Sequence, residues 1–347
     1  MKSIIRYIFV VICVSMLVSG FAQSQSLLEQ LQRTTQDGLQ GYLSPILSGW
    51  AADFNSGFYH SADLHDVLGF DVGVKVSAAL IRDADKTFSL TMPNSLTIPY
   101  GNGNITLQAG IDYDKNYTLP TAVGNKGDEV DLTAYGLEKY KNIKVIYSNG
   151  ASTGGAKIPL MILPGGFNIS AVPMIMPQLN LGLPFGLEFM LRYAPKIKAG
   201  DFGKVSLTGF GLRYDIDQWL PMLPLDVAVH FMTQKFNLSS TDINGQDQDF
   251  LDASATSFGL EVSKRFLIFT LYGGFDIQKS SFTVSNIQLT AQPGTPSYTF
   301  PGFTIDGVNK SRGVVGVRLL LAIVNVHAEY SIAKQPMLAA GLGISIR

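Results

Sequence analysis

"LGFDVGVKVSAAL", residues 68–80, alternates with a period of two. Phe70, Val72, Val74, Val76, Ala78 and Leu80 fall on one face; Gly69, Asp71, Gly73, Lys75 and Ser77 fall on the other. A helix would repeat its apolar residues every three or four positions, so this alternation specifies a strand with one apolar face. The pattern returns in "FGLEFMLRY" (185–193), "LDVAVHFMTQK" (225–235), "LIFTLYGGFDI" (267–277), "VNVHAEYSI" (324–332) and "LAAGLGISIR" (338–347). Each segment is long enough to cross a bilayer at a tilt.

A soluble exported β-domain would also alternate, because one face of its sheet packs inward. Sandwich strands are usually five or six residues, shorter than these. The polar faces are rich in glycine and sparse in charge, as a narrow lumen requires. Tyr193, Trp219, Phe236 and Tyr330 stand near strand ends, where a membrane-interface girdle places aromatics. The expected fold is therefore all-β, a transmembrane antiparallel β-barrel of about 12 strands (range 10–14). The soluble domain is the alternative, kept open by the ending "ISIR", where outer-membrane barrels commonly carry an aromatic.

Composition agrees. Charged residues are 15 % of the 347 and aromatics 11 %, with 35 glycines; a soluble domain is about a quarter charged. The opening "MKSIIRYIFVVICVSMLVSGFAQSQ" has basic Lys2 and Arg6, an apolar run from Ile8 to Val18, then Gly20 and Ala22 before a cleavage point. This is the layout of a signal peptide over 1–22. Ile12 precedes Cys13, which argues against lipidation, and the chain beyond has no cysteine for disulfides or thiolate chemistry. Without Lys2 and Arg6 the chain has 24 basic and 27 acidic residues, which is unsuited to a nucleic-acid binder.

The expected organisation is a signal peptide (1–22), a helical plug segment (23–65) and a barrel (66–347). Leu27, Leu28 and Leu31 recur at helical spacing, while Gly38, Gly41 and Pro45 limit the helices to one or two short ones before Leu47. Long loops are expected around 83–155, 237–252 and 278–312, where alternation fails. The apolar stretch 158–186 carries Pro159, Pro164, Pro173, Pro177 and Pro184 and reads as two shorter strands broken by turns, bending inward to constrict the lumen. In 203–216 the apolar phase slips, and a bulge at Gly209 is the economical explanation.

Candidate lumen residues are Lys75, Arg192, His230, Asp276, Arg318, His327 and Glu329, with Asp226 and Glu261 beside them on polar faces. Pairing across the interior is their default role. His60 and His65 with Asp63 and Asp66 match no metal-ligand motif, and no metal is assigned. There is no G-x-S-x-G, and "GNGN" and "STGG" lack the lysine of a phosphate loop. No catalytic residue, cofactor or enzyme activity is expected. Trp50, Phe54 and Tyr59 read as packing or interface anchors.

The order of phrases also carries a resemblance. "GWAADFNSGFYHSADLHDVLGFDVGV" (49–74), "LPTAVGNKG" (119–127), "PQLNLGLPFGLEFMLRYAP" (177–195) and "GFGLRYDIDQWLP" (209–221) resemble an exported family of unknown function from Bacteroidetes-type bacteria. More distantly, the chain resembles the long-chain fatty acid transporter superfamily and secretion-apparatus barrels of the outer membrane. That resemblance implies that Ser26 to His65, including Trp50 and His65, forms a hatch under a kinked strand. It implies an apolar pocket lined by Phe54, Phe58, Tyr59 and Met174, and sideways escape of apolar ligands through the wall. The expected role is passive passage or binding of small, hydrophobic molecules in the cell outer membrane. The alternatives are a non-transporting partner subunit of a surface-secretion or gliding assembly, or a soluble ligand-binding protein. The expected partners are outer-membrane lipid, the outer-membrane assembly machinery and a hydrophobic small molecule, with no nucleic acid.

Overall fold

The computed structural model describes residues 36–347 apart from 101–102, 127–129, 134–143, 147–151, 155–158, 164, 199–203, 220–221, 242–246, 290–297 and 301. The expected signal peptide and Leu27, Leu28 and Leu31 lie outside the described residues.

Ten wall strands follow a helix, α1 (Gln36–Phe54). They are β1 (Phe70–Leu80), β2 (Ala171–Leu183), β3 (Leu187–Lys198), β4 (Lys204–Asp215) and β5 (Asp226–Thr241). The second half is β6 (Asp247–Phe266), β7 (Phe269–Val284), β8 (Ser311–Leu321), β9 (Val324–Ile332) and β10 (Met337–Ile346). Each pairs antiparallel with its sequence neighbour, and β10 returns to β1 with Phe70 opposite Ile346. The sheet therefore closes into a ring, each wall strand pairing on both sides over at least part of its length. The short segment Phe303–Asp306 extends β8 along the same edge of β7, Val284 facing Phe303 and Ile277 facing Ser311. Ten is the lower bound of the expected range.

The barrel is inside out relative to a soluble protein. Val72, Val74 and Val76 are exposed while Asp71, Lys75 and Ser77 between them are buried. The same inversion holds on β6, where Phe258, Leu260 and Val262 face out and Ser257, Glu261 and Ser263 face in. Only hydrocarbon outside and a polar filling inside make that inversion stable. The protein is an outer-membrane β-barrel, and the soluble alternative falls with this finding.

Three strand connections at one end are tight, 184–186, 267–268 and 322–323, and the fourth, 216–225, is longer. The opposite, long-loop end carries the excursion between β1 and β2. There the hairpins Thr87–Thr91 with Asn116–Pro120 and Ser95–Tyr100 with Gly103–Gln108 form a cap. Leu90, Met92, Leu107, Tyr113 and Leu119 of the cap pack on Tyr42 of α1.

Several expectations are corrected. Helix α1 does not stop near Leu47 but runs through Gly38, Gly41 and Pro45 to Phe54. Packing on cap and wall outweighs the local cost of those residues. There is no loop over all of 237–252, because β5 and β6 stay paired up to Thr241 opposite Asp247. Nor is there one over all of 278–312, since β7 runs to Val284 and strand structure resumes at Phe303. In both places the strands continue beyond the lipid band, so backbone pairing persists after apolar alternation ends. Within 158–186 there are two strands, as expected, Pro159–Leu163 and Ala171–Leu183, but the second is an unbroken wall strand that holds Pro173 and Pro177 instead of bending inward. The irregularity near Gly209 belongs to the neighbouring strand, between Ala194 and Ile197 around Pro195. Phe236 is no girdle residue; it turns inward onto Phe54.

Candidate functional site: a plugged lumen and a seam in the wall

The C-terminal half of α1 enters the long-loop mouth of the barrel. Leu47, Ala51 and Phe54 pack there in one cluster with Met176, Ala194, Leu207, Ala253 and Phe282, which Leu39 of the helix's first turn also joins, with Trp50 and Met174 partly buried at the margin. Phe54 meets Phe236 and Phe282 edge to face, centroids 6.4 and 6.2 Å apart. Gly49 brings the helix against β2: a Cβ there would stand 2.9 Å from Val172 Cβ.

Below Phe54 the chain descends through the lumen to β1. Its backbone carbonyls satisfy wall side chains. Arg192 donates to Phe54 O (3.1 Å) and Ser56 O (2.5 Å), and Gln178 donates to Phe58 O (2.7 Å). Arg213 Nη2 donates to Ser61 O, and Gln234 Nε2 to Phe54 O. At the short-turn end Arg347 pairs with the Asp63 carboxylate and donates to its carbonyl (3.2 Å).

Among the described residues, the wall facing this plug holds five buried cations (Lys75, Arg192, Arg213, Arg312, Arg318) and five buried carboxylates (Asp71, Glu188, Glu261, Asp276, Glu329). They interlock. Arg213 joins Glu188 (2.6 Å) to Glu261. His65 of the plug bonds Glu188 Oε2 through Nδ1 (2.7 Å) and Ser345 Oγ through Nε2 (2.9 Å). His230 bonds Glu261 through Nδ1 (2.8 Å) and sits 3.7 Å from Asp276, which accepts from Arg312 Nε (2.8 Å). Glu329 accepts from Gly57 N (3.1 Å) and Tyr272 OH (3.2 Å). Five cations against five carboxylates balance, and with the plug they fill the lower lumen, although Arg312 Nη1, Arg318 Nε, His230 Nε2 and Asp276 Oδ1 have no hydrogen-bond partner.

Two plug groups are held far from their ordinary ionisation. Burial pushes the Asp53 carboxyl well up, opposed by the Ala79 N–H that donates to it (3.2 Å). Burial pushes His60 well down, helped by Lys75, Arg318, Arg213 and His65. His60 stacks on His327, centroids 4.8 Å apart, and its Nε2 is 3.3 Å from Asp71, yet neither ring nitrogen makes a hydrogen bond.

All seven candidate lumen residues are buried or nearly so against the plug: Lys75, Arg192, His230, Asp276, Arg318, His327 and Glu329. His60 and His65 have separate partners. The four residues expected to line one apolar pocket do not do so. Phe54 and Met174 belong to the mouth cluster. Phe58 and Tyr59 lie deeper, Phe58 under Arg192 and beside His230 (5.4 Å), Tyr59 against Tyr272 (5.9 Å). Arg213 and Arg312 are central to the lattice but did not stand out in the sequence. Arg312 fell in an expected loop, and Arg213 in the strand with the phase slip. A single arginine among apolar neighbours was the available signal.

The wall is not uniformly zipped. Strands β2 and β3 pair only from Gln178–Arg192 down to Leu183–Leu187. Above Gln178, β2 stays paired with β1, and above Arg192, β3 stays paired with β4, but among the described residues no ladder joins β2 to β3. Pro173 and Pro177 on one strand and Pro195 on the other have no N–H to donate. This seam lies beside the apolar mouth cluster, and α1 backs it from within through Gly49 and Val172.

The chain is similar to the β domain of the Bordetella autotransporter BrkA (11 % identity over 80 % of this chain and 100 % of that one, TM-score 0.28). It is similar to the outer membrane protease OmpT from Escherichia coli (9 %, 82 % and 100 %, 0.28) and to the Pseudomonas putida toluene transporter TodX (8 %, 80 % and 89 %, 0.22). With scores this low, the fold rests on the closed ladder itself. No curated protein matches the chain. The model of a family of unknown function, DUF6588, matches residues 1–346, and the chain belongs to that family.

Proposed function

We propose that this barrel passes small apolar molecules between its long-loop mouth and the surrounding lipid, sideways through the seam between β2 and β3. The observation that carries the reading is the unpaired upper half of these two strands beside an apolar, methionine-lined mouth. The lower lumen, filled with paired charge, is a poor path for an apolar solute. The adaptable side chains of Met174 and Met176 suit a site that repacks around ligands of varied shape. Helix α1 is then the gate, because it covers the seam from inside.

The test locks that helix. A Cβ at Gly307 would lie 3.3 Å from Ala51 Cβ, close enough for a disulfide, provided the Ser280 hydroxyl gives way. Ala51→Cys with Gly307→Cys and Ser280→Ala is expressed in cells with an outer membrane, and entry of N-phenylnaphthylamine is followed by fluorescence. Entry should exceed that of the host without the protein, fall to the host rate when the disulfide forms, and recover on reduction. Equal entry in the oxidised and reduced states would sink the reading. Host-level entry in both states, and with the unmodified protein, would favour the non-transporting partner subunit instead.

A further inference from the structure

The short-turn end of the barrel is unusual in two independent respects. Turn residues that face water are ordinarily polar, and hairpin positions with positive φ ordinarily go to Gly, Asn or Asp. Here Leu68, Phe185 and Leu267 have φ of 68°, 68° and 55°, in a region that bulky side chains avoid. The same residues are among the most exposed apolar side chains of the molecule: 76 %, 86 % and 90 %. Trp219, Met222 and Ile323 complete the ring of tips, all exposed. An Asn-Gly turn would relieve the backbone and suit water at once, so water is not the environment these tips match.

What covers them is indicated by what lies next to them. On β7 and β9 the outward apolar face runs without a polar break from the wall into the turns: Leu271 and Phe269 lead to Leu267, and Val326 and Val324 to Ile323; on β6 Lys264 interrupts it, its ammonium donating to Pro224 O. On β7 and β9 the lipid-facing belt is thus continuous with the rim. At the other end the outward face turns polar well before the strands finish, at Ser254, Lys279 and Ser281.

We propose that the short-turn rim is seated in the leaflet it faces, with its turn tips against phospholipid acyl chains rather than projecting into water. The partner is the phospholipid itself. This proposal is independent of the seam and of any transported molecule.

The chain has two tryptophans, so Trp50→Phe leaves Trp219 alone to report from the rim. The protein is reconstituted in phosphatidylcholine vesicles, with lipids brominated near the top of the acyl chain or with aqueous iodide as quencher. Trp219 should lose most of its emission to the brominated lipid and little to iodide. Independently, a nitroxide on Leu267→Cys, in a chain otherwise without cysteine beyond Cys13, should collide more often with oxygen than with a water-soluble nickel complex. Quenching by iodide and not by brominated lipid overturns the proposal, as does a nitroxide more accessible to nickel. That result is also what a rim covered by a protein partner in the cell, and bare in vesicles, would give.

Discussion

The guanidinium of Arg192 on the wall stacks on the ring of Phe58 in the plug, its central carbon 4.4 Å from the ring centroid. The same group donates to Ser56 O at 2.5 Å and Phe54 O at 3.1 Å, so one wall residue holds three successive points of the descending chain. Its loss leaves two buried carbonyls without this donor. Arg192→Ala should destabilise the docked plug by about 3 kcal/mol. Arg192→Lys should fall between, because an ammonium cannot present the flat fork that reaches both carbonyls and the ring. The check is protease cleavage between Asn55 and His65 in the folded, detergent-solubilised protein, which should be fastest in the alanine variant.

Gly49 sets how closely the helix backs the seam. A methyl group there would stand 2.9 Å from Val172 Cβ and 2.9 Å from its Cγ2, with the β2 backbone behind. Gly49→Ala should lift α1 from β2, cost about 1–3 kcal/mol and raise N-phenylnaphthylamine entry. Adding Val172→Ala should restore the space and reverse both effects. Thermal unfolding read by heat-modifiable gel mobility gives the first quantity, and the fluorescence assay gives the second.

Most of the barrel was legible because lipid outside and polar groups inside write a period-two pattern into each strand. The places that misled share one cause. Near the mouth the lumen is filled by α1, so the inner face is apolar as well, as at Leu207, Phe236 and Leu238. There the alternation reverses or blurs, producing the apparent slip at Gly209 and the misassigned Phe236. The lumen charges were legible as polar-face residues, but their pairing was not, since Arg213 and Glu261 are 48 positions apart. Proline at 173, 177 and 195 was visible from the start. Only the register shows that these prolines border a seam rather than breaking the strand.

The plug also fixes a topology. Helix α1 begins under the cap at the long-loop end, and the chain then crosses the lumen once before β1 starts at the short-turn end. Exposed Asp37 should therefore share a membrane side with the cap residue Asn94, and both should lie opposite Gln218. With single cysteines at each position and long loops on the outer face, an impermeant maleimide on intact cells should label Asp37→Cys and Asn94→Cys. Gln218→Cys should stay unlabelled on intact cells and, once the outer membrane is permeabilised, react more slowly than the other two, because the rim that carries it is seated in the leaflet. Labelling of Gln218→Cys together with Asp37→Cys on intact cells would contradict the lumen crossing.

His60 gives the plug a pH dependence whose sign follows from its surroundings. Facing it are Asp71 and Lys75 on β1, His327 on β9, Arg318 on β8, Arg213 on β4 and His65 in the plug. Burial and the neighbouring cations hold its protonation well below the ordinary 6.5. As pH falls through 6.5 the undocked or unfolded chain takes up the proton first, while the docked imidazole stays neutral. The contribution of His60 to docking is therefore complete above that value and declines as pH falls towards the folded-state value, by up to about 1.4 kcal/mol per pH unit. Asp53 acts oppositely: its raised carboxyl binds a proton more readily in the docked state, so acid favours it. A bare pH titration therefore mixes the two, and the informative quantity is the difference between the wild type and His60→Phe. From about pH 7 to about pH 5 the wild type should lose stability relative to the variant, measured as the shift in thermal unfolding midpoint. Parallel curves for the two proteins would show that docking leaves the proton affinity of His60 unchanged.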